Sequence, residues 1–188
     1  MRIVGIAGSL RSGSYNAALL RAAVEEAPPE VTLEIESIRG IPLYDGDLEA
    51  KGMPSEVKAL KERIVSADGL LLVTPEYNNS IPGTFKNAID WLTRPPDDIP
   101  RVFQGRPVGL IGASPGARGT VLSQTAWLPV FRTLGMQPWF GQLLYVGNAG
   151  RVFDPSGKLI DEAIRTRLRN YVRGFADFVR SLREGRQQ

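Results

Sequence analysis

The stretch GSLRSGSYN, residues 8–16, sets Ser9, Arg11, Ser12, Ser14 and Asn16 between an apolar run and the helix-forming run AALLRAAVEE of residues 17–26. Gly8 leaves the apolar run, and Gly13 permits a tight turn. Backbone N–H groups that open the helix point back toward this loop with about half a positive charge behind them. The hydroxyls and Asn16 add neutral donors, and the Arg11 guanidinium is a fork suited to phosphate oxygens. This set favours binding of a phosphate. Gly8 and Gly13 have the spacing of a nucleoside-triphosphate loop, but Ser14 stands where its lysine belongs. No GxGxxG follows the apolar run, as a standard dinucleotide crevice requires. A hydrophilic βα turn with a Ser cap fits the same residues, so this loop alone leaves both readings open.

A second polar loop opens TPEYNNSIPGTFKNAIDW, residues 74–91. Pro75 stiffens the chain, and Tyr77, Asn78, Asn79 and Ser80 follow as a segment able to offer backbone amides to a flat heteroaromatic edge. Ser80 is placed to cap the next helix, with Pro82 in its first turn. Lys86 and Asp90, four apart, read as a helix-surface pair. The third loop, GASPGARGT at 112–120, is built of small residues that let backbone approach a ligand closely.

Composition narrows what such loops can do. Cys and His are absent from all 188 residues, which removes disulfides, thiolate nucleophiles, Cys/His metal sites and His-based triads. Demanding chemistry must come from a bound cofactor, from carboxylates, or from Lys and Tyr. The net charge of +3 equals the excess in residues 161–188, where seven Arg face four acids. That charge belongs to one terminal helix, so nucleic acid is not an expected partner. The strongest apolar run, GLLLV at 69–73, is strand-sized against the ~20 residues that span a bilayer, and MRIVGIAGSL lacks the core of a signal peptide. The expected location is cytoplasmic, with no membrane partner.

The frame for the three loops is legible in the apolar runs 2–8, 32–38, 69–74 and 107–113, with a fifth strand within PWFGQLLYVG at 138–147. Segments of helical period alternate with them: about 16–26, from Ser55, from Pro82, about 121–134 with Pro129 expected to kink or split it, and a last helix. In that last helix Ile160, Ile164, Leu168, Tyr171, Phe175, Phe178 and Leu182 form an apolar stripe. Beside it Arg165, Arg169, Arg173 and Arg180 read as a solvated face or a subunit contact. Strands alternating with helices predict one α/β domain over 1–188, three-layered and doubly wound around a parallel five-stranded sheet. In such sheets ligands bind at the carboxyl ends of the strands, where all three loops lie.

Taken together, GSLRSGSYN and PEYNNSIPGTFKNAIDW resemble the NADPH-dependent FMN reductase family, the flavodoxin-like group that includes chromate, quinone and azo-dye reductases. The motifs fall in that family's order and at the same strand ends, over residues 1 to about 180. The resemblance implies that Ser9, Arg11, Ser14, Tyr15 and Asn16 cradle the FMN phosphate. It places Pro75, Glu76, Tyr77 and Asn78 along the isoalloxazine ring with Ser80 close behind, and Ser114, Pro115 and Gly116 in the third loop. Pro115 departs from the Gly-rich family pattern and removes a backbone donor.

The resemblance also implies strand order 2-1-3-4-5 and a homodimer or homotetramer with the flavin near the subunit boundary. Tyr44, Trp139 and the terminal Arg stripe are the exposed candidates for that contact. The expected activity is hydride transfer from NADPH or NADH through FMN to a small-molecule acceptor: a quinone, an azo compound, free flavin or a metal ion. No catalytic side chain and no metal are expected, since the flavin does the chemistry. One rival is a flavodoxin-like electron carrier without nicotinamide chemistry, against which stand GSLRSGSYN and a pI of about 9.4. The other is a non-catalytic binder of a different phosphorylated ligand.

Overall fold

A computed structural model of the chain describes residues 1–185; Arg186 to Gln188, the end of the expected domain and of the terminal Arg count, lie outside the described residues. The strands are β1 (Arg2–Ala7), β2 (Thr32–Glu36), β3 (Gly69–Val73), β4 (Pro107–Ala113), β5 (Gln137–Pro138) and β6 (Leu144–Val146). The helices are α1 (Tyr15–Glu25), α2 (Gly46–Lys51), α3 (Ser55–Val65), α4 (Gly83–Leu92), α5 (Ile99–Val102), α6 (Val121–Thr133), α7 (Ala149–Val152) and α8 (Glu162–Gly185). All pairings are parallel in the order β2-β1-β3-β4-β5, and β6 also lies along β4.

Parallel strands need cover on both faces, and alternate side chains supply two cores. Leu71 and Val73 of β3 pack with α1 and α8, whereas Leu70 and Leu72 pack with α3, α4 and α6. The apolar stripe of α8 holds over Leu168, Tyr171, Val172, Phe175, Ala176 and Val179, all buried. Ile160 precedes the helix and is exposed. None of the described helices is long and apolar enough to cross a membrane.

The fifth strand position is shared by two pieces, β5 beside Pro107–Val108 and β6 beside Ile111–Ala113. Between them the chain leaves the sheet, and Leu110 of β4 faces the gap. The Tyr171 hydroxyl fills it, accepting from Leu110 N at 2.8 Å and donating to Leu110 O at 3.2 Å. Burial pushes this phenol far above its ordinary pKa, so it remains a donor. The excursion folds Trp139 onto Tyr171, ring centroids 4.8 Å apart. Trp139 is therefore half-buried rather than exposed, and Phe140 and Leu143 carry the exposed apolar surface there.

Two further local expectations are corrected. Pro129 does not split α6, which runs unbroken over Val121–Thr133 with Pro129 on its exposed side. Ser80 caps nothing; α4 begins at Gly83 after Pro82. The Arg stripe is a solvated face, with Arg169, Arg173 and Arg180 exposed, and part of it also straps the helix to α1. Arg165 and Arg169 both grip Glu26 at the end of α1, at 3.0 and 2.6 Å, and Arg180 reaches Glu30 at 3.4 Å.

Candidate active site

Strand register sets the three loops side by side, since Ala7 pairs with Val73, Val73 with Ile111, and Ala113 with Val146. The first loop begins at Gly8, whose N–H is bound to Val73 O at 2.9 Å. Buried Ser14 is the N-cap of α1, its Oγ accepting from Ala17 N at 3.2 Å. The N–H groups of Ser12, Gly13, Tyr15 and Asn16 have no partner among the described residues. Helices commonly carry acids in the first turn; α1 has none, and neither does the loop before it. An unneutralised helix N-terminus, free amides, the Ser9 hydroxyl, which also accepts from Arg11 N at 3.4 Å, and exposed Arg11 form a donor-rich set suited to an external anion.

One of the expected cradle residues, Asn16, turns its side chain elsewhere. Asn16 is buried and clamps the end of β4, donating to Ala113 O and accepting from Ala113 N, both at 2.9 Å. What it offers a ligand is its backbone N–H. Tyr15 stacks on Phe153, centroids 6.0 Å apart, in the wall of a cavity of about 360 Å³ that also takes in Ser12, Arg21 and Ser156. Sequence reasoning missed Arg39, which reaches from beyond β2 to hold the Leu10 carbonyl at 2.6 Å. Its distance from the motif left no local signal.

The second loop closes on itself. Tyr77 N donates to Ser80 O at 3.2 Å and Ser80 N to Tyr77 O at 3.0 Å, while Asn78 and Asn79 have φ of 50° and 61°. This is a two-residue turn with both centres left-handed, the conformation that Asn tolerates best after Gly. It leaves the Asn78 and Asn79 N–H groups without partners among the described residues. Pro75 is buried, and Glu76 turns its carboxylate away to α6, accepting from Leu122 N at 2.9 Å and Ser123 N at 3.0 Å.

In the third loop Ser114 and Gly116 bind their own neighbours. Ser114 N donates to Val146 O, Ala149 N to Ser114 O, and Asn148 N to Gly116 O. Ser114 Oγ accepts from Gly116 N at 3.2 Å, and Pro115 lies exposed between them. Much of this loop's hydrogen-bonding capacity thus goes to β6 and α7.

A parallel 2-1-3-4-5 sheet with an anion-seeking βα loop at its carboxyl edge defines a flavodoxin-like α/β protein. The chain belongs to the NADPH-dependent FMN reductase family, whose profile matches residues 1–150. It is 40% identical over 183 residues to an NAD(P)H-dependent FMN reductase of Pseudomonas aeruginosa, covering 97% of each chain. It is 36% identical over 183 residues to a 2-hydroxy-1,4-benzoquinone reductase of a Burkholderia species, covering 97% of this chain and 98% of the other. Among solved structures, the flavoenzyme NAD(P)H:(acceptor) oxidoreductase FerB of Paracoccus denitrificans superposes with a TM-score of 0.86 at 32% identity, covering 96% and 97% of the two chains.

Proposed function

We propose that the chain is an FMN-dependent NAD(P)H oxidoreductase acting on quinone-type acceptors, with the FMN phosphate held at the start of α1 and the ring edge against residues 75–80. What bound FMN supplies is the redox chemistry, two electrons taken as hydride from NAD(P)H and passed to the acceptor. The chain's own residues bind and orient. Free N–H groups of Ser12, Gly13, Tyr15 and Asn16 and the Arg11 fork take phosphate oxygens, while Asn78 and Asn79 present backbone donors to a heterocycle edge. Ser9 and Ser80 border these groups, and Ser114, Pro115 and Gly116 close the far side of the cleft.

The observation that carries this reading is the acid-free, donor-lined start of α1 in a chain of this family. Riboflavin lacks the phosphate and tests it directly. Apoprotein should bind FMN at least a hundredfold more tightly than riboflavin, as two charge-assisted hydrogen bonds of roughly 1.5 kcal/mol or more each dictate. Arg11→Ala should weaken FMN about tenfold and leave riboflavin unchanged. Equal affinities for the two flavins sink the phosphate assignment.

The wider acceptor range, azo compounds, free flavin and metal ions, belongs to the same proposal, as do a cytoplasmic location and action of residues 1–188 as one FMN-binding domain. We also propose a homodimer or homotetramer. Exposed Leu122 and Leu128 of α6, and the apolar groove of Ile89, Ile99 and Val130 between α4 and α6, are the surfaces that support it. Sedimentation of the purified protein tests this, a monomer at micromolar concentration counting against it.

A further inference from the structure

A helix is ordinarily capped by the residue just ahead of it. Thr120 occupies that place before α6, yet it is wholly buried and its side chain makes no cap; its Oγ1 accepts from Gln124 Nε2 at 3.0 Å instead. The cap comes from Glu76, 46 and 47 residues distant from the two N–H groups it accepts, at 2.9 and 3.0 Å. Two residues earlier, Thr74 Oγ1 lies 2.9 Å from Ser123 Oγ and accepts from Trp127 Nε1 at 3.1 Å. Four hydrogen bonds thus bolt the root of the second loop to the first two turns of α6. Beyond Glu76 the fastening stops, because among the described residues the bonds of the exposed tip 77–80 run between Tyr77 and Ser80.

Charge points the same way. Glu76 is the one carboxylate in residues 8–14, 74–82 and 112–120. A free negative charge there would oppose an anionic ligand; held on the amides of α6, it is compensated by that helix's N-terminus. We propose that Glu76 is a positioning residue: by capping α6 from the neighbouring loop, it fixes where residues 77–80 present their backbone to the flavin and sets the charge that the ring meets. The inference rests on the FMN reading and adds to it a residue that acts through α6 rather than on the ligand.

The test uses the full chain with Glu76→Ala and Glu76→Gln. Without flavin, amides of 75–80 and 121–124 should exchange faster in Glu76→Ala than in wild type, with α3 unchanged. Titrated with FMN, Glu76→Ala should bind at least tenfold more weakly. At saturating FMN its flavin spectrum and midpoint potential should still differ from wild type, which a stabilising cap alone does not produce, since bound ligand restores a merely loosened fold. Glu76→Gln keeps an acceptor but not the charge and should fall between, about fivefold weaker. Wild-type spectrum and potential in saturated Glu76→Ala overturn the proposal. Should Glu76→Ala not fold, Glu76→Gln decides, and unchanged affinity and exchange there overturn it. If wild type itself takes up no FMN, the functional reading falls and this inference with it; that outcome is distinct because wild type and variants then fail alike in the titration.

Discussion

A Cβ placed on Gly8 would lie 2.1 Å from Cδ1 of Phe85, a ring with no exposure that packs edge-on against Trp127, whereas a Cβ on Gly13 meets nothing within 4 Å. The first glycine is therefore a packing residue and the second stands open to whatever the loop binds. Gly8→Ala should cost about 3 kcal/mol, because neither buried ring can move aside. Gly13→Ala should leave thermal stability within about 0.5 kcal/mol of wild type while weakening FMN. Paired melts and titrations check both, and equal loss of stability at the two positions refutes the distinction. In sequence the two glycines look like one motif. The same limit hid the side-chain roles of Asn16 and Glu76. Both stand in polar loop motifs in the sequence, but their partners lie 97 and 46 residues away, and local pattern carries no information about them.

Among the elements, β1, β3 and β4 were legible because burial on both faces leaves uninterrupted apolar runs between turn residues, and α3 because Val57, Leu60 and Ile64 keep helical spacing. The fifth strand was legible only as a region. PWFGQLLYVG holds the end of one short pairing, an excursion and a second short pairing, and what makes the break tolerable is a side chain on α8. Tyr171→Phe should thus destabilise by about 2 kcal/mol, since it leaves the part-buried Leu110 N and O without their partner while keeping the ring contacts. Urea unfolding measures it; a loss below about 0.5 kcal/mol would mean that water or the strand itself satisfies Leu110.

At the scale of the whole molecule, first helix and last are joined by one carboxylate. The Glu26 side chain is only 8% exposed; burial alone would raise its pKa, but hydrogen bonds from Arg169 and Arg165 outweigh this and hold it below the usual carboxylate range. A depressed folded pKa means that the stabilisation is complete above the unfolded value of about 4.3 and fades as pH falls through the folded one. Melting temperature should therefore drop on acidification below about pH 4.5 less steeply in Glu26→Gln than in wild type, and the variant should be about 2 kcal/mol less stable at pH 7. Parallel pH profiles refute the strap. The bolt between Thr74 and Trp127 has an optical side as well. Trp91 and Trp127 are fully buried in one core, and Trp139 lies half-covered against the other. Only Trp127 has its indole N–H on the residue where the second loop begins. A flavin absorbs where tryptophan emits, so cofactor uptake should dim the fluorescence, and Trp127→Phe should remove the component most sensitive to the loop while Trp139 reports from across the sheet. The chain thus carries a built-in gauge by which occupancy can be followed in real time without a label.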